Sequence, residues 1–468
     1  MGNLKIKVKD LKRINYNSDK SRSLAVTILA KNFKHLSAAE QIDLLVNVKS
    51  KPMDFIHDEV LGMLAAEFAE KPVALKKSEI PLRSNKAEMN IFGRRHIMSN
   101  AYQQMQTAMS LPVVERGALM PDAHMGYGIP IGGVLATKDT VIPYAVGVDI
   151  GCRMNLSIYE VDPGFLIRNS HLLKTSLKER TFFGGGATNP MKNDHEILDR
   201  KEFCQTDLLR RYHDKAVKQL GTSGSGNHFV EFGIVSLQEE FRGLAKGEYL
   251  GLLSHSGSRG LGAAIASFYT DVAIKKCLLP RQVRSMAWLS LDSSEGQEYW
   301  LSMNLAGDYA KACHDIIHLN LSKYIGLKPV LTFGNHHNFA WKETQENGEE
   351  WIVHRKGATP AQENVPGIIP GSMTAKGYIV KGKGNPSSLC SASHGAGRRM
   401  SRADIRESVS GSSMKKMLAA AGVSLIGGDT DEAPVAYKDL EEVMKSQAEL
   451  VEIIGSFLPK IVRMDGKV

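Results

Sequence analysis

From about residue 91 onward, short apolar runs are broken repeatedly by glycine-dense loops, as in Gly184-Gly185-Gly186 and Gly221-Thr222-Ser223-Gly224-Ser225-Gly226. Glycine frees the backbone for turns and close approaches but weakens the interiors of helices and strands. Such a chain folds as short elements joined by shaped loops. Strand-like runs at 134–137, 229–232 and 249–253 are interleaved with the loops, and helical patterns return near 412–421 and 436–456. The residues flanking each loop differ, so this is not a tandem repeat. The pattern predicts an α+β core in which many loops meet at one site.

The first 85 or so residues read differently, as a small basic α/β appendage. Residues 4–9 alternate apolar and basic, the period of a half-buried strand. Ser37-Ala38-Ala39-Glu40 forms a capping box that opens a helix running to about Val48. A second helix is expected from Asp54 to Ala69, with Pro72 after it and a connector over 72–90. Nine Lys/Arg against Asp10 and Asp19 give residues 1–35 a charge of +7, out of +9 for the whole chain. A basic segment of this kind either meets nucleic acid, through release of phosphate counterions, or serves as a solvated, solubilising surface.

Apolar residues at 43% and charged residues at 23% mark an ordinary folded protein rather than a disordered one. Its five cysteines (Cys152, Cys204, Cys277, Cys313 and Cys390) are scattered, with no C-x-x-C pair. Neither a disulfide framework nor a thiolate zinc finger is indicated, and reduced thiols in a cytoplasm fit best. The N-terminus lacks an apolar signal region, and no apolar run reaches the length of a membrane span. A cytoplasmic protein without membrane partners is the expectation.

Chemistry-bearing side chains sit beside glycine at five places: Asp149-Ile150-Gly151-Cys152, Asn227-His228, His255-Ser256-Gly257, His336-His337-Asn338 and His394-Gly395. Imidazole, carboxylate and thiolate together form a borderline-soft ligand set, and glycine lets backbone approach a metal or phosphate. A single loop histidine is more often surface or core, and a lone cysteine is usually a small buried hydrophobe. Five such sites in matching contexts favour the functional reading. G-x-x-x-x-G-K-[ST] and H-E-x-x-H are both missing, so a P-loop NTPase and a zincin protease are unsupported. The loop at 221–226 also lacks the strand–helix context of a dinucleotide site.

Longer motifs carry a specific resemblance. The run Met120-Pro121-Asp122-Ala123-His124-Met125-Gly126-Tyr127-Gly128-Ile129-Pro130-Ile131-Gly132-Gly133 resembles the signature of the RtcB family of 3′-phosphate RNA ligases. The same holds for Val146–Cys152, Gly226–Glu231, His255–Gly260, His354–Thr359, Pro370–Met373 and Ser393–Arg398, all in the family's order. The match runs from about residue 91 to near the C-terminus, which implies one large catalytic domain over 91–468 with mixed sheets and helices around a metal cleft.

The resemblance implies two Mn²⁺ ions held by Asp149, Cys152, His228, His255 and His337, with Cys152 as the bridging thiolate. It implies His394 as the nucleophile that takes GMP from GTP. For the nucleotide it implies Asn227, His228, Phe229, Val230, Glu231, His337, Asn338, Pro370, Gly371, Ser372, Met373, His394, Gly395, Ala396, Gly397 and Tyr437, with Glu231 on the guanine N1 and N2 donors. The activity implied is joining of 2′,3′-cyclic phosphate or 3′-phosphate RNA ends to 5′-hydroxyl ends, in tRNA splicing or RNA repair. tRNA halves or other cleaved RNA would be the substrate, and an archease-like activator a partner.

Three departures stand out. Arg153 follows Cys152 where the family usually has glycine, and Thr374-Ala375-Lys376-Gly377 replaces a Gly-Thr-Ala-Ser run. Near the end, Met464-Asp465-Gly466-Lys467 stands where the family carries a Lys-Gly pair whose lysine reaches guanine. An aspartate facing the base would weaken discrimination of GTP from ATP. Two other functions fit a drifted nucleotide pocket: a metal-dependent RNA end-processing enzyme with weak ligation, and a non-catalytic RNA-binding protein. The full Asp, Cys and His set argues against the second.

Overall fold

The computed structural model describes residues 6–69, 78–191, 193–345 and 347–466. The chain divides into two units, Met1–Ser78 and Glu79–Val468.

The smaller unit contains only helices among its described residues: Val8–Arg13, Asp19–Asn32, Ala38–Ser50, Pro52–Phe55 and Gly62–Ala65. Leu11, Tyr16, Leu29, Leu45 and Leu64 form its core. The Ser37 capping box forms, with the Glu40 N–H donating to Ser37 Oγ at 3.3 Å and the Ser37 N–H to Glu40 Oε2 at 2.7 Å. The strand expected at 4–9 is replaced from Val8 by a helix, whose one fully buried residue is Leu11; Leu4 and Lys5 lie outside the described residues. Alternation over six residues is too short to outweigh Asp10, whose Oδ2 accepts from the Lys7 N–H at 2.9 Å and caps the turn. The helix expected from Asp54 to Ala69 is broken because Asp58 Oδ1 accepts from the N–H groups of Val60 and Leu61, both at 2.8 Å. That Asx turn competes with the helical ladder.

The larger unit is α+β. One sheet has five strands, in the order Glu88–Ile91, Val114–His124, Ile131–Thr137, Glu350–Lys356 and Asn338–Thr344. A second, larger sheet runs Pro366–Ile369, Gly377–Gly382, Val451–Met464, Phe229–Leu237, Gly247–Ser256, Arg153–Tyr159 and Leu331–His336, with Ser424–Ile426 pairing to Val451–Met464, and two further sheets have two strands each. All three strands expected from the sequence fall inside observed ones. The expected helix over 412–421 is Gly411–Ala420.

The helix expected over 436–456 is instead a short helix, Leu440–Lys445, followed by the long strand Val451–Met464. Two neighbouring strands claim that segment, Gly377–Gly382 on one side and Phe229–Leu237 on the other. Pro459 is tolerated at this central position because the register shifts between Pro459 and Ile461. A 32-residue helix, Ser294–Ile325, crosses the unit, opened by Ser293 and closed by left-handed Gly326.

Strand alternation positions the site. Phe229 pairs with His255 and Glu231 with Leu253, while Met154 pairs with His255 on the other side. These side chains share one face of the sheet. His337 is the single residue linking Leu331–His336, in one sheet, to Asn338–Thr344, in the other.

Candidate metal and nucleotide site

Cys152 ends the turn before the strand Arg153–Tyr159, and His228 ends the glycine loop before Phe229–Leu237. The thiol lies 3.4 Å from His228 Nε2 and 3.1 Å from His255 Nε2. His255 Nε2 is 3.1 Å from His337 Nε2, and His228 Nε2 is 3.0 Å from Asp149 Oδ2. Cys152, His228 and His255 present donor atoms that all lie within 4.8 Å of one another. His255 Nδ1 donates to the Asn227 carbonyl at 2.9 Å, which directs the Nε2 lone pair into the cluster. A Cβ at Gly257 would collide with the Asp149 carboxylate, and one at Gly224 with the His228 ring. Both glycines are therefore needed for close approach.

The electrostatics fit a cation. Burial holds His255 down at about 3 and His337 well below the usual imidazole value, so both rings are neutral. Burial and the neighbouring Asp149 push the Cys152 thiol up. Burial also opposes ionisation of Asp149, but its bonds to His228 and Cys152 outweigh that and keep the carboxyl below its ordinary range. Lone pairs converge here with few donors to match them, and His228 Nδ1 and His337 Nδ1 are buried without partners among the described residues. A bound cation would relieve this crowding and release the thiol proton.

Beside the cluster lies a cavity of about 860 Å³. Its lining includes Asn227, Phe229, Glu231, Pro370–Met373, Gly395–Gly397 and Tyr437, together with His255, His337 and His394. Glu231 is only 4% exposed, and burial pushes its carboxyl well above the usual range. The Tyr437 hydroxyl donates to Glu432, and the Arg398 guanidinium lies 5.3 Å from the Tyr437 ring centre.

Three of the residues predicted for the nucleotide lie outside that lining. His228 faces the Cys152 cluster instead. Val230 points to the opposite face of its strand, into a core with Leu250 and Leu252. Asn338 acts as a strut, donating to the Asp149 carbonyl at 3.3 Å and accepting from the Gly357 N–H at 2.8 Å. At the C-terminus Met464 lines the cavity. The Asp465 carboxylate instead sits beside Gly184 and accepts from the Gly466 N–H at 3.0 Å.

His394 follows the short strand Ser391–Ser393, and its ring centre lies 5.0 Å from that of His337. Its Nδ1 is 2.7 Å from Oδ2 of fully buried Asp122, which also accepts from the His394 N–H at 3.3 Å. Sequence reasoning did not single out Asp122 as the partner of His394. Asp122 stands inside the Met120–Gly133 motif, and nothing in its spacing points across 272 residues to His394. Lys438 Nζ donates to the carbonyls on either side of it, at Pro121 (3.2 Å) and Ala123 (2.7 Å).

Residues 104–465 match the family model described as tRNA-splicing ligase RtcB. The chain is similar to the RNA-splicing ligase RtcB of Escherichia coli K12, with 34% identity over 387 residues, covering 76% of this chain and 92% of that relative. It is similar to the tRNA-splicing ligase RtcB of Nanoarchaeum equitans, with 31% identity over 436 residues, covering 77% and 90%. A third relative is the RNA-splicing ligase RtcB of Mycobacterium tuberculosis, at 29% identity over 429 residues, covering 76% and 98%.

Proposed function

The chain belongs to the RtcB family, and on that premise we propose that it is an RNA ligase joining 2′,3′-cyclic phosphate or 3′-phosphate ends to 5′-hydroxyl ends, with GTP as the energy source. The observation that carries this reading is the Asp122–His394 pair, set in the wall of a nucleotide-sized cavity beside a buried Cys/His cluster. Asp122 accepts the Nδ1 proton, so Nε2 carries the free lone pair. That nitrogen attacks the α-phosphorus of GTP; an N–P bond forms, the bridging P–O bond breaks, and pyrophosphate leaves with the electron pair. The imidazole then passes GMP to the RNA 3′-phosphate. Attack by a 5′-hydroxyl forms the phosphodiester and releases GMP.

Asp149, Cys152, His228, His255 and His337 would hold two manganese ions. When bound, the ions supply positive charge for the phosphate oxygens at the reacting end. Asn227 fixes the His255 ring, and Asn338 fixes the backbone at Asp149 and Gly357. Glu231 at the cavity wall offers a carboxylate to the guanine N1 and N2 donors.

RNA such as tRNA halves is the substrate on this reading, in splicing or repair within the cytoplasm, with an archease-like protein as activator. The basic residues of 1–35 would add phosphate contacts. No helix among the described residues is long and apolar enough to cross a membrane. The reading is tested by incubating the protein with GTP, manganese and two RNAs, one ending in a 2′,3′-cyclic phosphate and one beginning with a 5′-hydroxyl. A joined product that requires GTP supports it. Opening of the cyclic phosphate with no joined product would favour an end-processing enzyme instead.

A further inference from the structure

Tyr127 is 79% exposed, yet it belongs to the lining of the cavity that holds His394. Met125 (47% exposed) and Met98 (38%) line the same rim. Among the described residues no ring packs on Tyr127. Its backbone, by contrast, is clamped. Gln104, on the helix Ser99–Ala108, donates from Nε2 to the carbonyls of Gly126 (2.6 Å) and Gly128 (2.8 Å), and its Oε1 accepts from the Gly126 N–H at 3.3 Å. Buried Lys356 donates to the carbonyl of Tyr127 itself and to that of Tyr144 at 3.3 Å. Gly128 sits at φ +78 against the Tyr144 ring, so the turn tolerates no side chain there.

Three consecutive peptide groups are thus held by the half-buried Gln104 and the buried Lys356, and the aromatic ring between them is left open to solvent. Burying a lysine on a loop backbone is costly unless the position of that backbone matters. A rigidly presented ring at the mouth of the His394 cavity, with no ring packed on it among the described residues, is a surface for stacking, and every nucleobase has a face to stack on it. The exposed side chain of Arg399 on the same rim supplies positive charge for a nearby phosphate. The thioethers of Met125 and Met98, in the same lining, add apolar surface that adapts in shape.

We infer that Tyr127, in a cavity lining it shares with Met125 and Met98, is the platform on which a terminal base of the RNA substrate stacks while its phosphate reaches His394. This rests on the ligase reading above and adds a positioning residue for the RNA rather than for GTP. Because stacking ignores base identity, the platform holds any RNA end and selects none.

The test uses the full-length protein with Tyr127→Ala and Tyr127→Phe. Binding of a fluorescein-labelled RNA ending in a 3′-phosphate is followed by anisotropy, with a normal or an abasic terminal nucleotide. Loss of the ring should weaken binding of the normal RNA about five- to a hundredfold, and Phe should restore it. The abasic RNA should bind wild type and Tyr127→Ala equally, and labelling of His394 by GTP without RNA should be the same in all three proteins. Unchanged RNA affinity in Tyr127→Ala, or an abasic penalty that persists in that variant, would overturn the inference. A loss of GTP labelling matching the loss of RNA binding would place the ring at the nucleotide and overturn it too. Failure of the wild type to label with GTP would instead strike the ligase reading, because the anisotropy comparison does not depend on it.

Discussion

Asp122 Oδ2 accepts a hydrogen bond from His394 Nδ1 at 2.7 Å, while the other carboxylate oxygen, Oδ1, is buried with no partner among the described residues. The pair joins the Val114–His124 strand to the residue after Ser391–Ser393, so two distant parts of the chain set one imidazole's tautomer. Asp122→Asn keeps the shape but removes the charge that favours the Nδ1–H form. We expect formation of the GMP adduct to slow by roughly a hundred- to ten-thousandfold, with metal content unchanged. Adduct formation at the wild-type rate in this variant would remove Asp122 from the mechanism.

Cys152→Ser replaces a soft donor with a hydroxyl that stays protonated near neutral pH. Elemental analysis should then show loss of the second manganese, with the circular dichroism of the fold retained. Two ions still bound to this variant would argue against a bridging thiolate.

Burial keeps the Glu231 carboxyl neutral at pH values where a solvated glutamate is charged. Guanine's N1 and N2 donors favour the carboxylate, so GTP binding releases this proton and tightens as pH rises toward the raised pKa. Glu231→Gln should flatten that part of the pH dependence and reduce the preference for GTP over ATP by about 1–3 kcal/mol. Competition of each nucleotide against labelled GTP across pH reads both effects. Identical pH profiles for the two proteins would show that Glu231 does not meet the base.

Arg355 is fully buried and forms a bidentate pair with Glu343, at 2.6 and 3.1 Å. It also donates to Ser391 Oγ and the Leu389 carbonyl, both at 2.8 Å, tying the five-stranded sheet to the segment that carries His394. Arg355→Met leaves Glu343 without its partner and should cost about 3–5 kcal/mol of stability, read from the denaturant midpoint. A midpoint equal to wild type would mean the pair breaks even against apolar packing.

What was legible in the sequence follows the range of each interaction. Asp149, Cys152, His228, His255 and His337 were implied as a set by the family resemblance; each lies within three residues of a glycine, and a side chain at Gly224 or Gly257 would collide with His228 or Asp149. The Ser37 cap was visible because both of its hydrogen bonds are local. Asp122 was not, since only the folded sheet brings it to His394. Residues 451–456, which open the strand Val451–Met464, were misread as helix because that strand's identity is set by partners at 229–237 and 377–382, which no local period encodes. The sequence left open whether Asp465 faces the base; its carboxylate lies beside Gly184, and Met464 lines the cavity instead.

The central claim is that His394 carries GMP. Wild type and His394→Ala are incubated with α-labelled GTP and manganese, denatured, and resolved by electrophoresis. The account predicts a labelled band in the wild type that is lost in acid and survives alkali, as a phosphoramidate does, and no band in His394→Ala despite normal manganese content. A label that persists in His394→Ala, or one that is stable in acid, would contradict it.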